Sequence, residues 1–279
     1  MNNLVCLRGG ALQQAANRPG FNFGAGIAKV DGVMVFPDEI GLQLFSFPPL
    51  PTHPLPLLFQ TATMLEFILQ QLPPQTRLVA VSKTKPLAAI LALYQKGQRI
   101  FGENRAQELA EKYEALPKDI EWHLIGHLQT NKVRYIAPFV ACIHSVDSLK
   151  LLLEIDKQAK KNNRSIDCLL QFHIASEETK FGLDRAEAEA ILLSAEFSQL
   201  RHIRITGVMG MATFTDNTAQ VRREFKSLKA IFDHLKATFF ANAPYFREIS
   251  MGMSGDYQIA IAEGSTLVRI GTLLFGERG

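Results

Sequence analysis

Cysteine is scarce in this chain of 279 residues: Cys6, Cys142 and Cys168 stand far apart, odd in number and without paired spacing. Neither a disulfide framework nor a zinc site is indicated, and a reducing compartment is. An excess of one charge is also missing. The 30 basic and 27 acidic residues leave a formal charge of +3 with no long basic run, so nucleic acid is not implied as a partner. No window offers the roughly eighteen uninterrupted apolar residues that a membrane span needs. The most apolar early stretch, residues 40–59, is broken by Pro48, Pro49, Pro51, Pro54 and Pro56. A cytoplasmic protein away from membranes is expected.

What is present suffices for a large core: 47% of the residues are hydrophobic and 20% charged, in a length that suits one barrel-type domain or two smaller ones. The texture is uneven. Residues 1–63 hold seven of the thirteen prolines and only six charged residues, with no sustained period, and read as an irregular Pro-rich extension. The segment lacks the ordered regions of a signal peptide. Met64 is a candidate start, with the preceding residues an upstream extension. From there to residue 279 short β-branched or apolar runs alternate with longer amphipathic segments. Strands are predicted near 77–82, 99–101, 121–124, 141–145, 166–174, 203–209, 246–249 and 266–270, with helical patterns between them. Eight strands alternating with helices favour an α/β fold of the (β/α)₈ TIM-barrel type, a single domain, over an open doubly wound sheet. In a barrel, residues at the C-terminal strand ends converge on one mouth.

Candidate chemistry lies at those ends. Lys83 follows the first strand. A lysine there usually reaches to water, but one held in a partly closed apolar setting becomes a nucleophile for an aldehyde. Glu103 and Asn104 follow the second strand; Glu103 either pairs with a base or is solvated, and Asn104 either faces the mouth or caps the next helix. His123, alternating with apolar neighbours, points inward in a supporting role, and no metal partners for it are evident. Residues 176–183 make a polar loop. Ser250 to Asp256 after the seventh strand, and Gly271 and Thr272 after the eighth, supply the hydroxyls and small residues of a phosphate cradle, which barrels commonly build from these two loops. Arg269, flanked by Leu267, Val268 and Ile270, is drawn inward, where it meets either a carboxylate or a ring nitrogen that it keeps unprotonated.

Six motifs carry a family resemblance: residues 81–86, 101–104, 122–132, 180–183, 250–254 and 264–272. In this order, over residues 64–279, the chain resembles the pyridoxal phosphate homeostasis proteins, also called YggS-like or PROSC proteins. The resemblance implies a fold type III barrel like the N-terminal domain of alanine racemase, with pyridoxal 5'-phosphate as cofactor. It places the internal aldimine on Lys83, the pyridine-nitrogen contact on Arg269, phosphate contacts on Ser250, Gly271 and Thr272, and Asn104 on the pocket wall. Lys85 matches a second lysine, near the cofactor or active in its transfer, or else solvated.

Residues 1–63 have no counterpart in that pattern. The chain also stops soon after the eighth strand, which leaves no room for the C-terminal β domain whose tyrosine serves alanine racemases. A monomeric carrier is therefore expected, one that holds the cofactor, buffers or supplies it to dependent apoenzymes, and does not turn over substrate. An amino-acid racemase and a Schiff-base aldolase are the enzymatic alternatives.

Overall fold

A computed structural model describes residues 28–30, 33–35, 44–45, 57–177 and 181–276, with side chains described from residue 63 onward. The chain divides at Pro56 into two units. In the first, Ala28–Val30, Val33–Val35 and Leu44–Phe45 form a small antiparallel sheet. An irregular segment was expected here. The three runs are only two or three residues long, too short to register as a sustained period.

The second unit begins with α1 (Leu57–Gln71), seven residues before the expected start at Met64. No proline follows Pro56 until Pro73, so nothing interrupts a helix over that stretch. Beyond it lie eight strands: β1 (Arg77–Val81), β2 (Ile100–Glu103), β3 (Glu121–Leu124), β4 (Cys142–Val146), β5 (Ile166–Phe172), β6 (Ile203–Gly210), β7 (Glu248–Ser250) and β8 (Leu267–Ile270). All neighbours run parallel, and the order β7-β8-β1-β2-β3-β4-β5-β6 closes on itself. The expected (β/α)₈ barrel is present, its crossovers including α2 (Leu87–Gln95), α3 (Ala106–Ala115), α4 (Val133–Ile136), α5 (Leu149–Lys161), α6 (Arg185–Leu193), α7 (Thr218–Thr238) and α8 (Tyr257–Ala262); α9 (Thr272–Phe275) follows β8.

The two-residue strand period sorts side chains between two cores. Leu78, Ala80, Phe101, Trp122 and Leu124 pack outward against the helices. Val79, Ile100, Cys142, Leu169, Met209 and Leu267 fill the barrel interior. Strand register carries polar residues onto the inner face: Arg269 lies beside Val79, and His123 beside Cys142. The mouth lies above them.

Candidate functional site

Lys83 sits two residues beyond the end of β1 and is half-buried. Both of its neighbours are tied down by one ion cluster. Ser82 donates its hydroxyl to Glu103 Oε1 at 2.6 Å, and Glu108 Oε1 accepts the backbone N–H of Thr84 at 2.6 Å. Lys112 Nζ joins the two carboxylates, at 2.7 Å to each, and reaches the Ser82 carbonyl at 2.8 Å. Its three donors are thereby used. Thr84 adopts φ 63°, a left-handed conformation that a residue with a Cβ holds only when its surroundings impose it. Glu103 is fully buried, and burial pushes its carboxyl above the ordinary range against the pull of Lys112 and Ser82. Of the two readings left for Glu103, pairing with a base is therefore the one realised. Lys112, on α3 in a sequence that reads as a solvated helix face, gave no advance signal.

Inside the barrel a second polar chain crosses from β8 to β3. Arg269 Nη1 donates to Ser250 Oγ at 2.7 Å, and Nη2 to the Gly210 carbonyl at 3.1 Å. Ser250 Oγ lies 2.9 Å from His144 Nδ1, and His144 Nε2 lies 2.9 Å from His123 Nδ1. All four side chains are buried. Burial lowers Arg269 to about 10, which still leaves it charged at neutral pH. The acceptors of its hydrogen bonds are neutral, and the charge of Asp256 partly offsets the burial. Burial, with Arg77 adding repulsion, lowers His123 to about 3; burial, then His123, Arg269 and Arg77, holds His144 well below the ordinary range. Both imidazoles are neutral near pH 7. Cys142 completes a buried group with the two histidines, their ligand atoms within 4.8 Å of one another. Its thiol is pushed up by burial, and the charges of Arg77 and Arg269 that act on the histidines also oppose a dication. His123 thus has the neighbours that were not evident in sequence, and they make it part of a hydrogen-bonded chain.

Around the mouth, the cap preceding α3 is Arg105, without a side-chain cap bond. Asn104 therefore does not cap that helix by its side chain. Its backbone carbonyl would lie only 2.5 Å from a Cβ on Gly126, and its residue lines a hollow of about 220 Å³ with His127, Gln129 and Lys132. Gly271 is similarly constrained, a Cβ there falling 3.1 Å from the Val81 carbonyl, which brings the end of β8 against the strand that leads to Lys83. Thr272 opens α9 and is exposed. Gly252, after β7, takes φ 94° in a space where a Cβ would meet that of Ala260 at 2.5 Å. Lys85 is engaged elsewhere: its ammonium donates to the carbonyls of Phe275 and Gly276, each at 3.2 Å.

In the loop after β5, Phe181 stacks on His127 with ring centroids 4.4 Å apart; Lys180 of the fourth motif lies outside the described residues. A hollow of about 370 Å³ that His123 also lines lies at the opposite, N-terminal end of the strands. Its charges pair among themselves, Arg77 with Glu248 and Arg204 with Asp167, each at 2.7 Å. Ser250 and Arg269 are thus joined directly, with Gly271 and Thr272 close by in sequence, Lys83 and Asn104 at adjoining strand ends, and Lys85 turned to the end of α9.

Residues 62–279 match the family model described as alanine racemase, N-terminal domain. The pyridoxal phosphate homeostasis protein of Aquifex aeolicus is 42% identical over 204 residues, 72% of this chain and 87% of that one. PipY of Synechococcus elongatus PCC7942, solved with PLP bound, is 39% identical with a TM-score of 0.68, covering 77% of this chain and 100% of its own. An alanine racemase of Bartonella henselae, 18% identical with a TM-score of 0.60 over 79% of this chain and 63% of that one, shares the fold. With its barrel matched from end to end and relatives near 40% identical along most of their length, the chain belongs to the alanine racemase N-terminal domain family, among the pyridoxal phosphate homeostasis proteins.

Proposed function

We propose that this protein binds pyridoxal 5'-phosphate through Lys83 and serves in intracellular homeostasis or supply of the cofactor. The carrying observation is the buried Arg269 guanidinium, charged and hydrogen-bonded only to the neutral acceptors Ser250 and the Gly210 carbonyl among the described residues. A barrel interior tolerates such a charge when an acceptor completes it. The residues present fit the cofactor. Ser250, Gly271 and Thr272 would hold its phosphate, Arg269 would face the ring nitrogen and keep it unprotonated, and Asn104 would line the wall. Bound there, the cofactor supplies an aldehyde that condenses reversibly with an amine. Lys83 would be that amine, on a backbone held at Ser82 and Thr84.

A carrier role agrees with where the tyrosines lie. Tyr94 is bonded to Asp119, Tyr135 to Arg134 and Tyr257 to Gln71. Tyr113 stacks on Phe139, and Tyr245 lines the hollow at the N-terminal strand ends. All five are engaged at these places, and racemisation would require a second proton carrier besides Lys83. A monomer, residence in the cytoplasm and delivery to dependent apoenzymes complete the proposal.

The test is the absorbance of purified protein with added cofactor, borohydride trapping and peptide mapping. A trapped adduct on Lys83, absent from Lys83→Ala, is expected; an adduct on neither Lys83 nor Lys85 overturns the reading. Exchange of an amino acid α-proton with solvent deuterium at ordinary enzyme rates would refute the carrier role.

A further inference from the structure

The interior chain Arg269, Ser250, His144, His123 has only two consistent arrangements of its protons. Arginine donates and never accepts, so Ser250 Oγ accepts from Arg269 Nη1 in both. In one, the Ser250 hydroxyl donates to His144 Nδ1, His144 donates from Nε2 to His123 Nδ1, and His123 carries its proton on Nε2. In the other the direction is reversed: His123 donates from Nδ1, His144 donates from Nδ1 to Ser250 Oγ, and the serine proton is released from the chain. A hydroxyl has one donor and two acceptor sites. In the second arrangement both acceptor sites are filled by Arg269 and His144, and Ser250 can only donate.

We propose that His144, braced by His123, is a positioning residue that takes the second arrangement when an accepting ligand oxygen, such as that of a phosphoryl group, is seated on Ser250, and so holds Ser250 as a hydrogen-bond donor alone. The inference rests on the placement of the cofactor phosphate at Ser250 proposed above. It adds a positioning device made of two histidines behind Ser250. The outer ring nitrogen fixes the tautomer of its neighbour, as an outer hydrogen bond does for an imidazole beside a metal. In that arrangement a ligand group that must itself donate to Ser250 finds no free acceptor site and would be a buried donor without a partner, which is costly; only the first arrangement, with one acceptor site open, serves it.

The test is nitrogen-15 NMR of the histidine side chains in the full chain, with and without saturating inorganic phosphate, His123 and His144 being assigned from their single variants. With phosphate, both rings are expected to carry their proton on Nδ1. A ring that stays protonated on Nε2 while phosphate is bound overturns the proposal, even if Lys83 is still trapped by borohydride. Failure of the wild type to bind either phosphate or cofactor overturns both readings. His144→Phe, which leaves Ser250 an open acceptor site, is expected to weaken phosphate binding about tenfold, the loss of roughly 1.4 kcal/mol. His144→Asn keeps an N–H for Ser250 and should stay within about threefold of wild type. Equal losses in the two variants, with thermal midpoints matched, would reduce His144 to a packing role and refute the proposal.

Discussion

Replacing Lys112 by Met removes the one cation that joins Glu103 and Glu108 beneath Lys83. The ammonium is almost fully buried and bonded at 2.7, 2.7 and 2.8 Å to the two carboxylates and the Ser82 carbonyl. Methionine has nearly the same volume, so the cost is electrostatic and not a cavity. Breaking a buried ion pair from one side costs about 3–5 kcal/mol, since it strands the remaining charge. In a domain of this size each kcal/mol moves the thermal midpoint by roughly 2–4 °C, so a fall of about 6–20 °C is expected by scanning calorimetry at pH 7.5. The pH dependence has a definite sign. Glu103 already has its carboxyl raised in the folded protein, and a raised acid favours the fold at low pH and loses that contribution as pH climbs through the folded value. Without Lys112 the carboxyl rises further, so the gap between variant and wild type should widen from pH 5 to pH 8. Glu103→Gln added to Lys112→Met neutralises the stranded charge and should recover half or more of the loss. A variant within about 1 kcal/mol of wild type at both pH values, or strict additivity in the double variant, would refute the buried pair as the support of this turn.

Lys85→Met removes two hydrogen bonds to carbonyls at the end of α9; at a partly exposed site this should cost less than about 1.5 kcal/mol and leave the borohydride adduct on Lys83 intact, and a lost adduct would return Lys85 to the cofactor. Arg269→Met leaves the Gly210 carbonyl and Ser250 without their donor. Stranded buried groups cost about 1–3 kcal/mol each, so chemical denaturation should register a loss of that order together with a changed cofactor spectrum, whereas an unchanged spectrum would remove the proposed ring contact.

The barrel was legible because its strands carry their own period. β3 begins and ends where the alternation around Trp122 and His123 places it. β2 runs on to Glu103, beyond the expected residue 101, because Gly102 and Glu103 still pair with His123 and Leu124; a glycine and a glutamate carry little strand propensity, and only the neighbouring strand reveals that they belong. β7 opens at Glu248, later than the apolar Phe246 suggested, since Phe246 packs into the outer core against Phe232 and Phe240 without entering the ladder. In each case the pairing partner decided the boundary.

The candidate site was legible in its ends and hidden in its supports. Lys83, Ser250 and Arg269 break an apolar pattern at strand ends, and a barrel sends such residues to one mouth. Lys112 breaks no pattern. It lies on an amphipathic helix among glutamates, where its burial depends on Glu103 being carried inward by a different strand. His144 differs again: in Cys142-Ile143-His144-Ser145-Val146 it sits two residues from Cys142, and the same alternation that turned His123 inward would have turned His144 inward beside it. Two inward histidines on adjacent parallel strands meet by geometry alone, and a serine and an arginine on β7 and β8 then continue the line. The interior chain was therefore available to period-two reasoning, while the clamp beneath Lys83 required the packing of α3 against β2. The groups proposed to touch the cofactor and the groups that hold them obey different rules, the first set by strand ends and the second by contacts between elements distant in sequence.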